Sequence, residues 1–333
     1  MADFLANGTI LSTTDGTPFT VTAFCEKKKN CHLYNISIGG EDKIFSRLFN
    51  LSDEKKEFYE KIAAEKIATA ETNWPVAFCN SPSENIYGFI SNAMPKDYIS
   101  LSDILYKRTN SLSIKSEIDI CLNLATFFGK LYEKGYYLSG FAESDIAFNP
   151  VNGAVFLNVF NNITNDTTIS SVESLKFTPP EYYHQKGKNI IPESARYILS
   201  VIMFIIFFHA HPFEGAKAHS KAFLTKEDLY NLYITKSVFM FEPDDDTNRP
   251  SEYIYSKLQE KWNNFPDFIK ELFINSFSQA AIKDPCSRPD ELRWISALVK
   301  MRSFAFNCTA CTCILSLSFR RRKRLVLGLQ KSV

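Results

Sequence analysis

The stretch from Leu131 to Asn162 constrains this 333-residue chain more than any other. Just before it, Ile118, Leu122, Leu124, Phe127, Phe128 and Leu131 recur at helical spacing, and the pattern stops at Gly135, a plausible helix C-terminus. Short apolar runs follow at residues 136–138, 146–148 and 155–159. The last two are separated by the turn signal Asn149-Pro-Val-Asn-Gly153. A helix, a loop and a hairpin are therefore predicted in that order. Downstream, Tyr197 to Phe208 is an apolar run of only about 12 residues, too short to cross a bilayer at a rise of about 1.5 Å per residue and suited to a buried helix.

This order resembles the catalytic segment of a protein kinase, in which His-Arg-Asp is followed by an Asn and then, after a hairpin, by Asp-Phe-Gly. Those places fall here on Leu138-Ser139-Gly140, on Asp145 and on Val159-Phe160-Asn161. Thr178-Pro-Pro-Glu181 stands where Ala-Pro-Glu closes the activation segment. Arg196 to Phe208 with His211-Pro-Phe-Glu-Gly215 resembles the central helix and the loop after it, and Asp284-Pro-Cys-Ser-Arg288-Pro the turn whose Arg pairs with that Glu. Three passages, 88–103, 241–250 and 272–279, are similar to a bacterial group of Ser/Thr-kinase-like proteins encoded beside a phosphatase and a von Willebrand A-type partner. The resemblance covers about residues 15 to 303 and rests on motif order. It implies an α+β, bilobal protein-kinase-like fold. Residues 1–95 would form a small, mostly antiparallel-sheet N-lobe, 96–303 a larger helical C-lobe, and 304–333 a Cys/Arg-rich tail.

Phe19, Val21 and Ala23 alternate with polar residues, and 32–38 and 43–49 are further strand-like runs. The resemblance puts a nucleotide-covering Gly-rich loop between the first two strands, where glycine lets backbone N–H groups approach phosphate. The connection is Cys25-Glu-Lys-Lys-Lys-Asn-Cys31, which lacks glycine and reads as a solvated hairpin tip. Ile44-Phe-Ser-Arg47 resembles the kinase Val-Ala-Ile-Lys and makes Arg47 the cofactor-binding candidate, with a planar guanidinium in place of a compact ammonium. The next helix, roughly 54–70, offers Glu60 and Glu65 either as partners for Arg47 or as an exposed face.

Phosphoryl transfer needs metal ions on the phosphates and a carboxylate for the hydroxyl proton. By the resemblance, Gly140 replaces that base, Val159 a metal ligand, and Ala195 an Asp that holds the catalytic loop from below. Glu181 and Arg288, structural in kinases, are retained. The leading reading is a catalytically impaired pseudokinase that scaffolds or regulates a protein partner; the resemblance implies a kinase or phosphatase of the same system. The alternative is a divergent ATP-dependent kinase or nucleotidyl transferase. Asp145 would then hold Mg²⁺ through waters, Glu143 would serve as a displaced base, and Asn158, Asn161 and Asn162 would cluster at the lost metal site.

Lys+Arg (38) nearly balances Asp+Glu (37), which leaves no whole-protein field for nucleic acid. Eight cysteines without a secretory signal predict a reducing, cytoplasmic setting. Asp244, Asp246 and Asn248 imitate a Ca²⁺ loop, but Arg249 and Tyr255 occupy the positions of its Gly and Glu, so a polar loop is expected. His209 and His211 are expected to cap carbonyls or meet solvent. In the tail, Cys308, Cys311 and Cys313 form a partial zinc-ribbon ligand set with no Cys or His downstream. Arg320 to Arg324 supply a basic run for acidic lipid or nucleic acid, and a third reading makes this tail the interacting part.

Overall fold

The computed structural model describes residues 4–28, 30–65, 67, 72–106, 112–166, 174–181, 192–250, 257–307 and 314–316. They divide into two compact units. One holds the described residues up to Asp97 together with Phe156–Asn161; the other holds Tyr98–Val155 and the described residues from Asn162 on. The sequence placed 156–161 with the helical part; the structure packs it with the sheet.

The first unit is a six-stranded sheet: β1 (Ile10–Ser12), β2 (Pro18–Lys28), β3 (Cys31–Ile38), β4 (Glu41–Leu48), β5 (Pro75–Ser81) and β6 (Ile86–Ser91), in the order β1-β2-β3-β4-β6-β5. All neighbours are antiparallel. Gly39 and Gly40, at φ +58° and +84°, make the turn from β3 to β4, where two consecutive residues need positive φ. Thr14 N–H donates to the Phe78 carbonyl at 2.7 Å, which ties the end of β1 to β5 at the far edge. The sheet thus curls around an interior of Phe19, Val21, Tyr34, Ile36, Phe45 and Ile90. Gly88 is required there, since a Cβ would lie 2.7 Å from the Phe45 ring. Helix α1 (Asp53–Ala64), capped by Ser52 on Lys55 N–H, covers the outer face and ends earlier than its sequence pattern predicted.

In the second unit α2 (Leu101–Leu105) follows the short strand β7 (Ile99–Ser100), and α3 (Ile114–Glu133) starts at the Ser113 cap. Its end is set by Gly135 at φ +73°: Tyr136 N–H returns to the Leu131 carbonyl and Gly135 N–H to that of Tyr132, both at 2.9 Å. The loop then carries β8 (Tyr137–Leu138) and β9 (Ile146–Phe148), and the chain passes through β10 (Val155–Leu157). On its return, β11 (Ile163–Thr164) pairs with β8, while β9 pairs with β7. Helix α4 (Pro192–Phe208) is buried almost all round, as an apolar helix without a polar face must be. Phe204, Phe207 and Phe208 meet Phe239, Phe241, Trp262, Phe265 and Phe273 from the surrounding segments. Short helices α5 (Lys226–Tyr230) and α6 (Leu258–Asn264) precede α7 (Asp267–Phe277), α8 (Gln279–Lys283) and α9 (Glu291–Ser303), whose Trp294 is fully buried. Among the described residues no helix is long and apolar enough to cross a membrane.

Candidate functional site

The catalytic-loop equivalent runs from β8 to β9. Ser139 N–H and Oγ both donate to the Asn162 carbonyl, at 2.8 and 2.9 Å, and Asn162 Nδ2 donates to the Gly140 carbonyl at 3.3 Å. Gly140 therefore contributes only backbone. Asp145 closes a single helical turn, Glu143–Asp145, and its Oδ2 accepts the Ala142 N–H at 2.8 Å. At 2% exposure this carboxylate helps to fix the shape of its own loop.

Glu143 belongs to a charged cluster that the sequence did not disclose. Lys176 Nζ lies 3.6 Å from its Oε1 and 3.3 Å from Glu214 Oε1, and the Tyr233 hydroxyl donates to Glu214 Oε1 at 2.5 Å. Burial works against the Lys176 charge, but Glu214, Tyr106 and Glu143 outweigh it and raise its pKa above the usual lysine range. Burial likewise opposes the Glu214 charge, and its neighbours His211, Lys176 and Tyr233 together hold it below the usual carboxylate range. His211 does not reach solvent. It is wholly buried, its Nε2 is 2.8 Å from the Lys176 carbonyl, and burial pushes its pKa down to about 4.

In the sheet unit the Val159 segment is clamped by one side chain. Asn73 Oδ1 accepts the N–H groups of Val159 and Phe160, each at 3.1 Å, and its Nδ2 donates to Asn158 Oδ1 at 2.6 Å. The Asn73 N–H adds a bond to the Leu157 carbonyl at 2.9 Å, and the Tyr59 hydroxyl donates to the Asn161 carbonyl at 2.7 Å. The Phe160 ring, fully buried, sits 5.4, 5.1 and 4.9 Å from those of Tyr59, Trp74 and Phe89. The three asparagines thus have separate duties: Asn158 bonds to Asn73, Asn161 gives its carbonyl to Tyr59, and Asn162 binds the loop at Gly140.

Strand pairing fixes where Arg47 points. Arg47 lies opposite Gly88, and Leu48 opposite Tyr87. The Tyr87 hydroxyl meets the Lys56 carbonyl at 3.2 Å and Glu60 Oε1 at 3.4 Å, so Tyr87 and Leu48 face α1. Because neighbours along a strand alternate, Arg47 faces the other side. There its guanidinium lies 5.1 Å from the Phe49 ring centre, and its cross-strand neighbour is His32. Burial, then Lys27 and Arg47, push His32 below its usual pKa. Ser46 and Leu48 hold the face toward the helix, and Glu60, one of the two carboxylates offered as partners for Arg47, meets Tyr87. Glu65 caps the C-terminus of α1, its N–H on the Ile62 carbonyl. The hairpin read as a solvated tip at the place of the nucleotide cover is zipped through Glu26↔Leu33, Lys27↔His32 and Lys28↔Cys31, which engages its backbone in the ladder.

Glu181 and Arg288 are brought together and both buried. Arg288 Nη1 donates to Oε1 at 2.5 Å and Nη2 to Oε2 at 2.8 Å. Ser194 Oγ adds a bond to Glu181 at 3.3 Å, and Arg288 also reaches the Glu193 carbonyl at 3.1 Å and the Tyr197 ring. Next to Ser194, Ala195 is buried in the first turn of α4. Asn248, in the segment that imitated a Ca²⁺ loop, is buried, and its Nδ2 binds the Phe213 and Val238 carbonyls, so it serves the fold. Cys308, Cys311, Cys313 and the basic run lie outside the described residues. Among the described residues no group of three or more His, Cys, Asp or Glu is placed to hold a metal ion.

The chain is similar in structure to the kinase domain of Mycobacterium tuberculosis PknI, with a TM-score of 0.54 at 11% identity over 90% of this chain and 99% of that one. A double and a single mutant of that domain give 0.56 and 0.55, at 11% and 12% identity, over 90% of this chain and all of theirs. The fold is that of a protein kinase. No protein-family model matches the sequence, and no curated protein matches it.

The residues present do not suit the Mg²⁺ that a kinase fold implies. A hard cation takes oxygen ligands. Val159 has none, and the backbone around it is bound to Asn73. Of the two carboxylates in the loop, Asp145 accepts the Ala142 N–H and Glu143 lies against Lys176.

Proposed function

We propose that this chain acts by binding: a pseudokinase that scaffolds or regulates a protein partner in the bacterial cytoplasm. The observation that carries the reading is the Asn73 clamp on Val159 and Phe160, which fills with a neutral, internally bonded segment the place where the resemblance expects a metal-binding carboxylate. Gly140 supports it, since a residue without a side chain cannot orient a hydroxyl. The sequence likeness to kinase-like proteins encoded with a phosphatase makes a kinase or phosphatase of the same system the proposed partner. The competing transferase reading would draw on Asp145 and Glu143, and the first is tied to Ala142 and the second to Lys176.

The test is label transfer from γ-labelled ATP with Mg²⁺ or Mn²⁺, to the protein itself and to a generic acceptor protein. The expected result is incorporation no higher than with heat-denatured protein. Incorporation that disappears in Asp145→Ala would overturn the reading.

A further inference from the structure

On the helical unit, a cleft of about 710 Å³ carries three lysines from three separate places in the chain. Lys217 lies in the turn after α4, Lys236 at the end of the π-helical turn Asn231–Thr235, and Lys283 in the last turn of α8. None of the three ammonium groups forms an ion pair with a carboxylate among the described residues, although seven other lysines among them do. Between them Ile234, Val238 and Ile282 supply an apolar lining. Two acids border the cleft. Glu181 is neutralised by Arg288. Asp245 is engaged by Thr247, whose hydrogen bonds hold it below the usual carboxylate range, with a weaker pull from Lys217. The local balance is positive on a chain whose net charge is only +1.

We infer that this cleft docks an acidic peptide segment of a partner protein, with carboxylates on the lysines and an aliphatic or aromatic side chain on the lining. Charge complementarity selects this occupant. The chain's own basic run, Arg320 to Arg324, has the wrong sign to fill it. Unpaired cations beside an apolar lining gain most from a ligand that brings both a counter-charge and apolar surface, because desolvation strengthens the ion pairs. The loop that carries Lys217 also exposes Phe223, at 90% exposure, which extends the apolar surface offered to a protein. The inference rests on the binding role proposed above, but its readout is independent of nucleotide, so either can fail alone.

The test uses the full chain and a short fluorescein-labelled peptide of alternating Glu and Leu, followed by anisotropy, with a Lys-Leu peptide as control. The expected result is binding of the acidic peptide that weakens with salt and falls by roughly tenfold or more in the triple variant Lys217→Glu/Lys236→Glu/Lys283→Glu. The triple Lys→Gln variant, with an unchanged melting temperature, should show a smaller loss in the same direction. Equal affinity in the wild type and both variants would overturn the proposal, as would no preference for the acidic peptide. Displacement by inorganic phosphate at the concentration of the peptide itself would replace it with a small-anion site.

Discussion

At Glu181 a carboxylate meets the Arg288 guanidinium through two hydrogen bonds, whereas at Val159 the chain is held by the neutral amide of Asn73. Both places are buried and both leave little polar capacity to spare. The first brings together the residue pair that the resemblance expects. The second keeps only the course of the backbone, with amide and aromatic contacts in place of a metal-binding carboxylate. Charge in this protein is kept where it secures the fold and is missing where the resemblance expects it to act on phosphate.

The largest effect should come from breaking the charged corner. Arg288→Ala strands a buried carboxylate and is expected to cost about 3–5 kcal/mol in urea unfolding, whereas replacing Glu181 and Arg288 together by Leu should cost much less. Equal losses would mean that packing, and not the uncompensated charge, sets the penalty. Asn73→Ala orphans two buried N–H groups and should cost about 3 kcal/mol. If it instead produces Mg²⁺-dependent nucleotide binding, the clamp has been masking a competent site.

A pH titration sharpens the comparison further. The His211 pKa falls from 6.5 to about 4 on folding, so the unfolded chain binds the extra proton between those values. Stability from this group is complete above pH 6.5 and is lost as pH falls toward 4, by about 3 kcal/mol, and Glu214 adds to the loss in the same direction. His211→Asn should flatten that slope in unfolding measured across the range. Smaller still, Asp145→Ala should cost about 1 kcal/mol through the lost Ala142 bond and leave any response to Mg²⁺ unchanged. Arg47→Lys should alter stability slightly and nucleotide response not at all.

Much of the scaffold was legible in the sequence because its signals are local. Gly135 ends α3 where the apolar period stops, and residues 146–148 form a strand ahead of their turn signal. The Glu181–Arg288 pair followed from resemblance, since the partners are 107 residues apart. The side to which Arg47 points was not legible, because Phe45, Ser46, Arg47 and Leu48 are all buried and leave no alternation to read. Nor was the Asn73 clamp, whose partners lie 85 to 87 residues away, and an isolated Asn in a loop carries no signal. For His211 the sequence left carbonyl capping and solvent both open, and it meets the carbonyl of Lys176, 35 residues away, a partner that only the packing reveals.

The most direct test of the central claim is the melting temperature of the full chain with saturating ATP or ADP, each with and without Mg²⁺. A ligand that binds only the native state must raise it. The account predicts no Mg²⁺-dependent shift with either nucleotide. A rise of several degrees that requires Mg²⁺ and is abolished by Asp145→Ala would contradict it.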